Sequence, residues 1–189
     1  MEELSEALKA IEGELNFAKK AYRASVFLYW ARAMPGVYLL AQILSKYAGI
    51  GEGSAIQLLS LTAVVGFIVE ERKAFRRVIQ LEEALGHIEE TPRGYVLAQV
   101  IVWPLSALIA SVYTENEGLW LLVFIGLGLL LLTGVEFIFT GKRDWKTALA
   151  GVILLSSTAL CTGFGYAVMV IAFAFSLTAY LHLKGAMRE

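Results

Sequence analysis

From Ser25 to Leu183, long runs with almost no charge alternate with short charged segments, and this alternation constrains the fold more than any other feature of the chain. The runs read as helices near Ser25 to Lys46, Ala55 to Glu70, Tyr95 to Tyr113, Leu119 to Thr140, Thr147 to Thr162 and Gly163 to Leu183. A helix rises ~1.5 Å per residue, so about 20 residues cross the ~30 Å hydrocarbon layer of a bilayer. Lipid offers no partner to a bare backbone N–H or C=O, which restricts such runs to helices or closed barrels. Hydrophobic residues are 58% of the 189 and charged residues 17%, more apolar surface than one water-soluble core of this size hides. The expected class is all-α, a polytopic membrane helical bundle of about six transmembrane helices plus two cytoplasmic amphipathic helical segments.

The expected organisation is a cytoplasmic amphipathic helix (1–23), a first transmembrane hairpin (24–71), a cytoplasmic helical extension and loop (72–93), a second hairpin (94–141), a third hairpin (142–183) and a tail (184–189). The second and fifth runs are short for a span. Lysine and arginine set the orientation, because short loops rich in them stay in the cytoplasm. Lys9, Lys19, Lys20 and Arg23 precede the first run, and Arg72, Lys73, Arg76, Arg77 and Arg93 follow the second. Lys142, Arg143 and Lys146 follow the fourth, and Lys184 and Arg188 the sixth. The alternate loops, GIGEGS, TENEG and TGFG, contain no lysine or arginine. A multi-pass protein of the cell membrane with both termini in the cytoplasm is therefore expected. The first residues, MEELSEALKAIEGEL, lack the basic start and apolar core of a signal peptide, so no cleavage is expected. Trp120 suits an interfacial anchor, whereas Trp103 falls too deep for one.

Leu4, Leu8, Ile11, Leu15, Ala18 and Tyr22 recur at alternating spacings of four and three, which places them on one seam of a helix. After the second run, Phe75, Val78, Ile79, Leu85 and Ile88 form another one-sided stripe before Thr91 and Pro92 end it. An antiparallel pair standing on the cytoplasmic face buries both stripes most simply. Leu8, Leu15, Phe75, Val78 and Leu85 are then the interaction residues, for each other, for a second copy or for a soluble cytoplasmic partner. The membrane-proximal ends are basic and meet anionic lipid headgroups favourably. The distal ends carry Glu2, Glu3, Glu6, Glu12 and Glu14 on one helix and Glu82, Glu83, Glu89 and Glu90 on the other, a repulsion the pair itself does not explain.

An ionisable side chain at mid-span costs roughly 2.5–3.5 kcal/mol on insertion scales, so such residues mark where to look for function. Arg32 lies about two turns into the first run and Glu136 about one turn into the fourth, both from the cytoplasmic side. Gln99, Glu70 and Glu71 occupy the same layer. The sharpest site hypothesis is a substrate or ion path through Arg32, Glu136, Gln99, Glu71 and Glu70, with Arg32 holding an anion and Glu136 titrating. The plainer reading has Arg32 snorkelling to the interface and Glu136 acting as structural glue. Gln42 and Gln57 are placed to hydrogen-bond each other between the first two runs. Pro35 and Pro104 fall inside runs, where each removes one backbone donor. Gly126, Gly128 and Gly134, and the pairs Ala172 with Ser176 and Ala174 with Thr178, favour close helix approach.

PGVYLLAQIL at Pro35 aligns with PLSALIASVY at Pro104, and each is followed by Glu-Gly and then a run with a glutamate toward its inner end, Glu71 or Glu136. A true repeat would make the first four runs two parallel hairpins, as in some transporters. His87 and His182 are the only histidines, and the motifs of zinc peptidases, serine hydrolases and phosphate-binding loops are missing. Ser156, Ser157 and Thr158 have no histidine placed beside them by any motif, and bonding back to their own helix is the expected role. Cys161 is the only cysteine, which excludes an intramolecular disulfide and a cysteine-based metal cluster. No enzyme activity, metal, cofactor or nucleic-acid partner is expected; membrane lipids are. Two functions follow: a small transporter, channel or membrane subunit of one; or a non-transporting interaction or scaffold protein acting through its cytoplasmic helix pair.

Overall fold

In the computed structural model every regular element among the described residues is helical. The description covers residues 2–86 and 93–187, excluding the side chains of residues 2–6, 8 and 93. Leu4, Leu8 and Ile88 of the expected stripes therefore lie outside it, as do Thr91 and Pro92. The elements are α1 (Glu2–Ala48), α2 (Glu52–Ala84), α3 (Arg93–Tyr113), α4 (Glu117–Thr140), α5 (Trp145–Ser156), which tightens into a 3₁₀ turn at Ser157–Leu160, and α6 (Phe164–Ala186).

Among the described residues, four helices are long and apolar enough to cross a membrane: Glu52–Ala84, Gly94–Tyr113, Glu117–Thr140 and Phe164–Ala186. The expected first span and the helix before it are one continuous helix of 47 residues. The second span is likewise longer than its apolar run, because α2 continues through the basic segment for 33 residues. Helix propagation is cheap once nucleated, so charge at the membrane boundary does not end a helix. Residue 86 does: Gly86 stands at φ 68°, a left-handed conformation that glycine adopts without a Cβ penalty. The helix thus stops at Ala84, short of the expected end at Thr91 and Pro92. The apolar stretch Trp145–Leu160 is shorter than a span, ~26 Å long at the rises of its α and 3₁₀ parts.

The chain forms two compact units, Met1–Glu89 with Ala179–Glu189, and Glu90–Thr178. In the first, α1 and α2 run antiparallel. Ala24, Ala31, Ala41 and Ala55 are buried within this unit, and Leu15 and Val78 are buried nearer the charged end of the pair. Ile11, Ala18, Tyr22, Ile79 and Leu85 are half-buried, so the two stripes pack largely on each other; Phe75 alone among the expected interaction residues described is exposed. Among the described acidic residues of the two ends, Glu82 and Glu14 find cations across the pair. Lys19 Nζ lies 2.7 Å from Glu82 and Arg77 lies 3.1 Å from Glu14. Such exposed ion pairs contribute ~0–1 kcal/mol each, enough to fix register but not to hold the hairpin. The last turns of α6 belong to this unit: Lys20 Nζ donates to the Gly185 carbonyl at 3.2 Å, and the Phe27 and His182 rings stack at 5.9 Å.

In the second unit α4 buries Leu122, Gly126, Gly128 and Leu129. Small residues set its distances. A Cβ on Gly151 of α5 would lie 2.8 Å from the Gly126 carbonyl oxygen, and one on Gly128 would lie 2.6 Å from the Trp103 ring of α3. Trp103 thus packs flat on a glycine rather than anchoring at an interface. Trp120, one turn into α4, donates from Nε1 to Ser111 Oγ at 2.9 Å and stacks on Phe124. Ala174 and Thr178 are buried as the small-residue reading expects, whereas Ser176 is exposed and Gly134 has nothing near it. Hydroxyls within apolar helices bond back one turn: Ser106 to Val102, Ser157 to Ile153 and Thr178 to Ala174. Asn116 caps α4 and Asp144 caps α5, accepting from backbone N–H groups that lipid could not satisfy. Outward faces are apolar, with Leu58, Leu61 and Val65 exposed on α2 and Leu97, Val100, Leu108 and Val112 on α3.

Gly151→Ala should lower the unfolding temperature in detergent, because its methyl meets backbone at the α4–α5 crossing and overpacking costs ~1–3 kcal/mol. Gly134→Ala, in open space on the same α4, should be neutral or raise it, since alanine in a helix gains ~0.5–1 kcal/mol over glycine. Equal effects would refute the close crossing.

Candidate functional site

Three of the five residues expected on a substrate path gather at one cavity within the first unit. Arg32 comes from α1 and Glu70 and Glu71 from α2; Ser25, Tyr29 and Phe67 complete most of the wall. The cavity holds about 530 Å³ and is open to one side, within the range of small-molecule sites. Gln99 lies half-buried on α3 and Glu136 half-buried on α4, both in the second unit. Within the first unit, Arg32, Glu70 and Glu71 line one cavity together. Gln42 also finds a different partner: it donates to Glu52 at the start of α2, while Gln57 is exposed.

Two tyrosines that the sequence reading assigned to the stripe or passed over position the cavity. Tyr29 Oη donates to the Ala63 carbonyl at 2.6 Å, and its approach requires a glycine opposite, since a Cβ on Gly66 would lie 2.7 Å from that hydroxyl oxygen. Tyr29, Trp30 and Phe67 form an aromatic cluster with centroids 5.3–5.5 Å apart, which floors the cavity on its apolar side. Tyr22 Oη donates to Glu71 Oε1 at 2.6 Å, and the Tyr22 ring lies 5.6 Å from that of Phe75. Tyr22 and Tyr29 are seven apart, two helical turns, and so share a face. That spacing is the signal by which the sequence shows them.

Arg32 is exposed, and its Nε donates to the Leu28 carbonyl at 3.1 Å. The side chain therefore runs back along α1 toward the Glu70 and Glu71 level. Among the described residues it forms no ion pair. Glu70 lies 3.4 Å from Lys73, one turn away and exposed. The cavity thus presents a guanidinium at one end and two carboxylates at the other. That arrangement binds opposite charges at once; it has no nucleophile paired with a base. Among the described residues no group of three or more histidine, cysteine, aspartate or glutamate side chains is placed to hold a metal ion.

A second, smaller cavity of about 250 Å³ lies farther along the same hairpin, lined by Phe17, Ala18, Ala21, Ala74 and others. The chain matches no protein-family model, no curated protein and no solved structure.

The Tyr22 phenol is held above the ordinary tyrosine value of ~10, first by burial, then by its hydrogen bond to Glu71 and that carboxylate's negative charge. Since the folded value is raised, the contribution to stability is complete below about pH 10 and is lost as pH rises through the folded value. Phenolate absorbance in an alkaline titration, taken as wild type minus Tyr22→Phe, should therefore rise later than for a free tyrosine. Glu71→Gln should bring it part of the way back, leaving the effect of burial. A difference curve centred near pH 10 would contradict the assignment.

Proposed function

We propose that this chain is a small multi-pass membrane protein that binds a polar solute carrying both charges in the Arg32, Glu70 and Glu71 cavity, and moves it as a transporter or as the membrane subunit of one. The observation that carries the reading is the cavity itself: a cation and two anions face one open space at the end of the apolar face of a hairpin. A mid-span charge is costly, and a guanidinium without an ion pair is better accounted for by a ligand than by packing. In this reading α1 and the α5 segment cross the bilayer along with the four longer helices, giving six spans. Both termini and the loops rich in lysine and arginine face the cytoplasm, as the charge distribution favours. The cavity then opens to the cytoplasmic side.

The test is uptake into proteoliposomes of labelled zwitterionic solutes, namely amino acids and phosphoethanolamine. Wild type should accumulate at least one, and Arg32→Gln and Glu71→Gln should each reduce its uptake at least tenfold while unfolding within a few degrees of wild type. Uptake indifferent to both substitutions, or absence both of uptake and of any ligand-induced stabilisation that Arg32→Gln removes, would overturn the reading.

A second reading has support of its own. Phe17 and Phe75 are 50% and 47% exposed on the helix pair beside the smaller cavity, an apolar feature suited to a soluble cytoplasmic partner. Leu15 and Val78 are buried within the pair and would serve such a partner only indirectly. If this is the function, Phe17→Ser with Phe75→Ser abolishes partner recovery from detergent extracts, and Arg32→Gln does not.

A further inference from the structure

We infer that the ligand of the Arg32 cavity is a phospholipid with a primary-ammonium headgroup, a phosphodiester joined to an ammonium by a short carbon bridge; this rests on the reading of the cavity as a ligand site. The argument is one of order along the hairpin. The exposed apolar face of α2 runs through Leu58, Leu61, Val65, Ile68 and Val69 and stops at Glu70. Antiparallel pairing sets the levels on α1. Tyr29 bonds Ala63 and Tyr22 bonds Glu71, so moving from Tyr22 to Arg32 moves from the carboxylates toward the apolar end. The guanidinium thus lies beside the apolar face, and the carboxylates lie where that face ends. A phospholipid standing normally in a leaflet presents acyl chain, phosphate and ammonium in that same order.

The spacing also fits. Arg32 Nε sits on the Leu28 carbonyl, and Leu28 is six residues from Tyr22, the residue bonded to Glu71. Six residues span ~9 Å of helix. A headgroup whose phosphate and ammonium are joined through a two-carbon bridge is short enough to sit between the two charged ends. Glu71 gives Oε1 to Tyr22, and its Oε2 accepts no hydrogen bond among the described residues. An ammonium with three N–H donors can bridge that oxygen and Glu70. A purely anionic headgroup would place its phosphate on Arg32 but bring nothing to the two carboxylates.

The experiment uses the full chain in detergent, with its unfolding temperature followed as phosphatidylethanolamine, phosphatidylcholine or phosphatidylglycerol of identical acyl chains is added, and with soluble glycerophosphoethanolamine as a separate arm. Phosphatidylethanolamine should raise the unfolding temperature by several degrees and saturate, at a concentration about tenfold lower than either other lipid. Arg32→Gln and Glu71→Gln should each abolish that preference, and Arg32→Lys should retain part of it. If Arg32→Gln does not fold, the headgroup preference of wild type and its loss in Glu71→Gln decide the matter. Equal stabilisation by all three lipids, or a preference that survives Glu71→Gln, overturns the inference. Stabilisation by glycerophosphoethanolamine equal to that by the lipid overturns the lipid assignment and leaves a soluble phosphoester. Solute uptake that depends on Arg32 without any ethanolamine preference would refute this inference while the transport reading stands.

Discussion

Hydrocarbon offers a polypeptide no hydrogen bonds, and most of this structure follows from that one constraint. Each apolar segment closes its own backbone ladder as a helix. The hydroxyls carried into those segments turn back on their own helices, as Ser106, Ser157 and Thr178 do. Helix starts at α4 and α5 take their acceptors from Asn116 and Asp144. With polar demand met locally, helices in lipid associate through packing, and here the contacts fall where side chains are smallest. Alanines fill the α1–α2 seam, and glycines set the α4–α5 crossing and the seat of Trp103.

The same constraint explains why the polar groups of the first hairpin stand out. Tyr22 meets α2 at the level where its outer face turns from valine to glutamate, and Tyr29 meets it about two turns farther along the apolar stretch. Tyr22 and Tyr29 each present an apolar ring to the partner helix and spend the hydroxyl on a specific acceptor there, Glu71 or the Ala63 carbonyl. This fixes the register of α1 on α2 and holds Glu71 in place. Arg32 is left on the rim, reaching back toward the carboxylates with its long stem on apolar surface.

Much of this was legible in the sequence, because it rests on one-dimensional pattern. Apolar runs, their loops and the two amphipathic stripes locate the helices to within a few residues, with two exceptions of physical interest. Continuity across the membrane boundary is not written in hydropathy, so α1 reads as two pieces although it is one helix, whereas α2 runs into its basic segment as the expected helical extension does. The end of α2 is fixed by the left-handed Gly86 rather than by the proline beyond it. Arg32, Glu70 and Glu71 were legible as costly charges near one layer. Their shared layer put them on one expected path, and the pairing of α1 with α2 adds the wall they share. Tyr29 shares a face with Tyr22 by its spacing, but its acceptor at Ala63 and the room left by Gly66 depend on the pairing of two antiparallel helices, which no periodicity shows.

The central claim is that α2 meets lipid along its outer face and that a polar, hydrated cavity begins where that face ends. Spin labels placed singly at positions 58, 61, 65, 68, 70 and 71, in a Cys161→Ser background reconstituted in bilayers, measure this through relaxation by oxygen and by a water-soluble nickel complex. The account predicts oxygen-dominated relaxation at 58, 61, 65 and 68, changing to nickel-dominated relaxation at 70 and 71. Strong nickel access at 61 and 65 would contradict a membrane-spanning α2, and oxygen-dominated relaxation at 70 and 71 would contradict a hydrated cavity at its end.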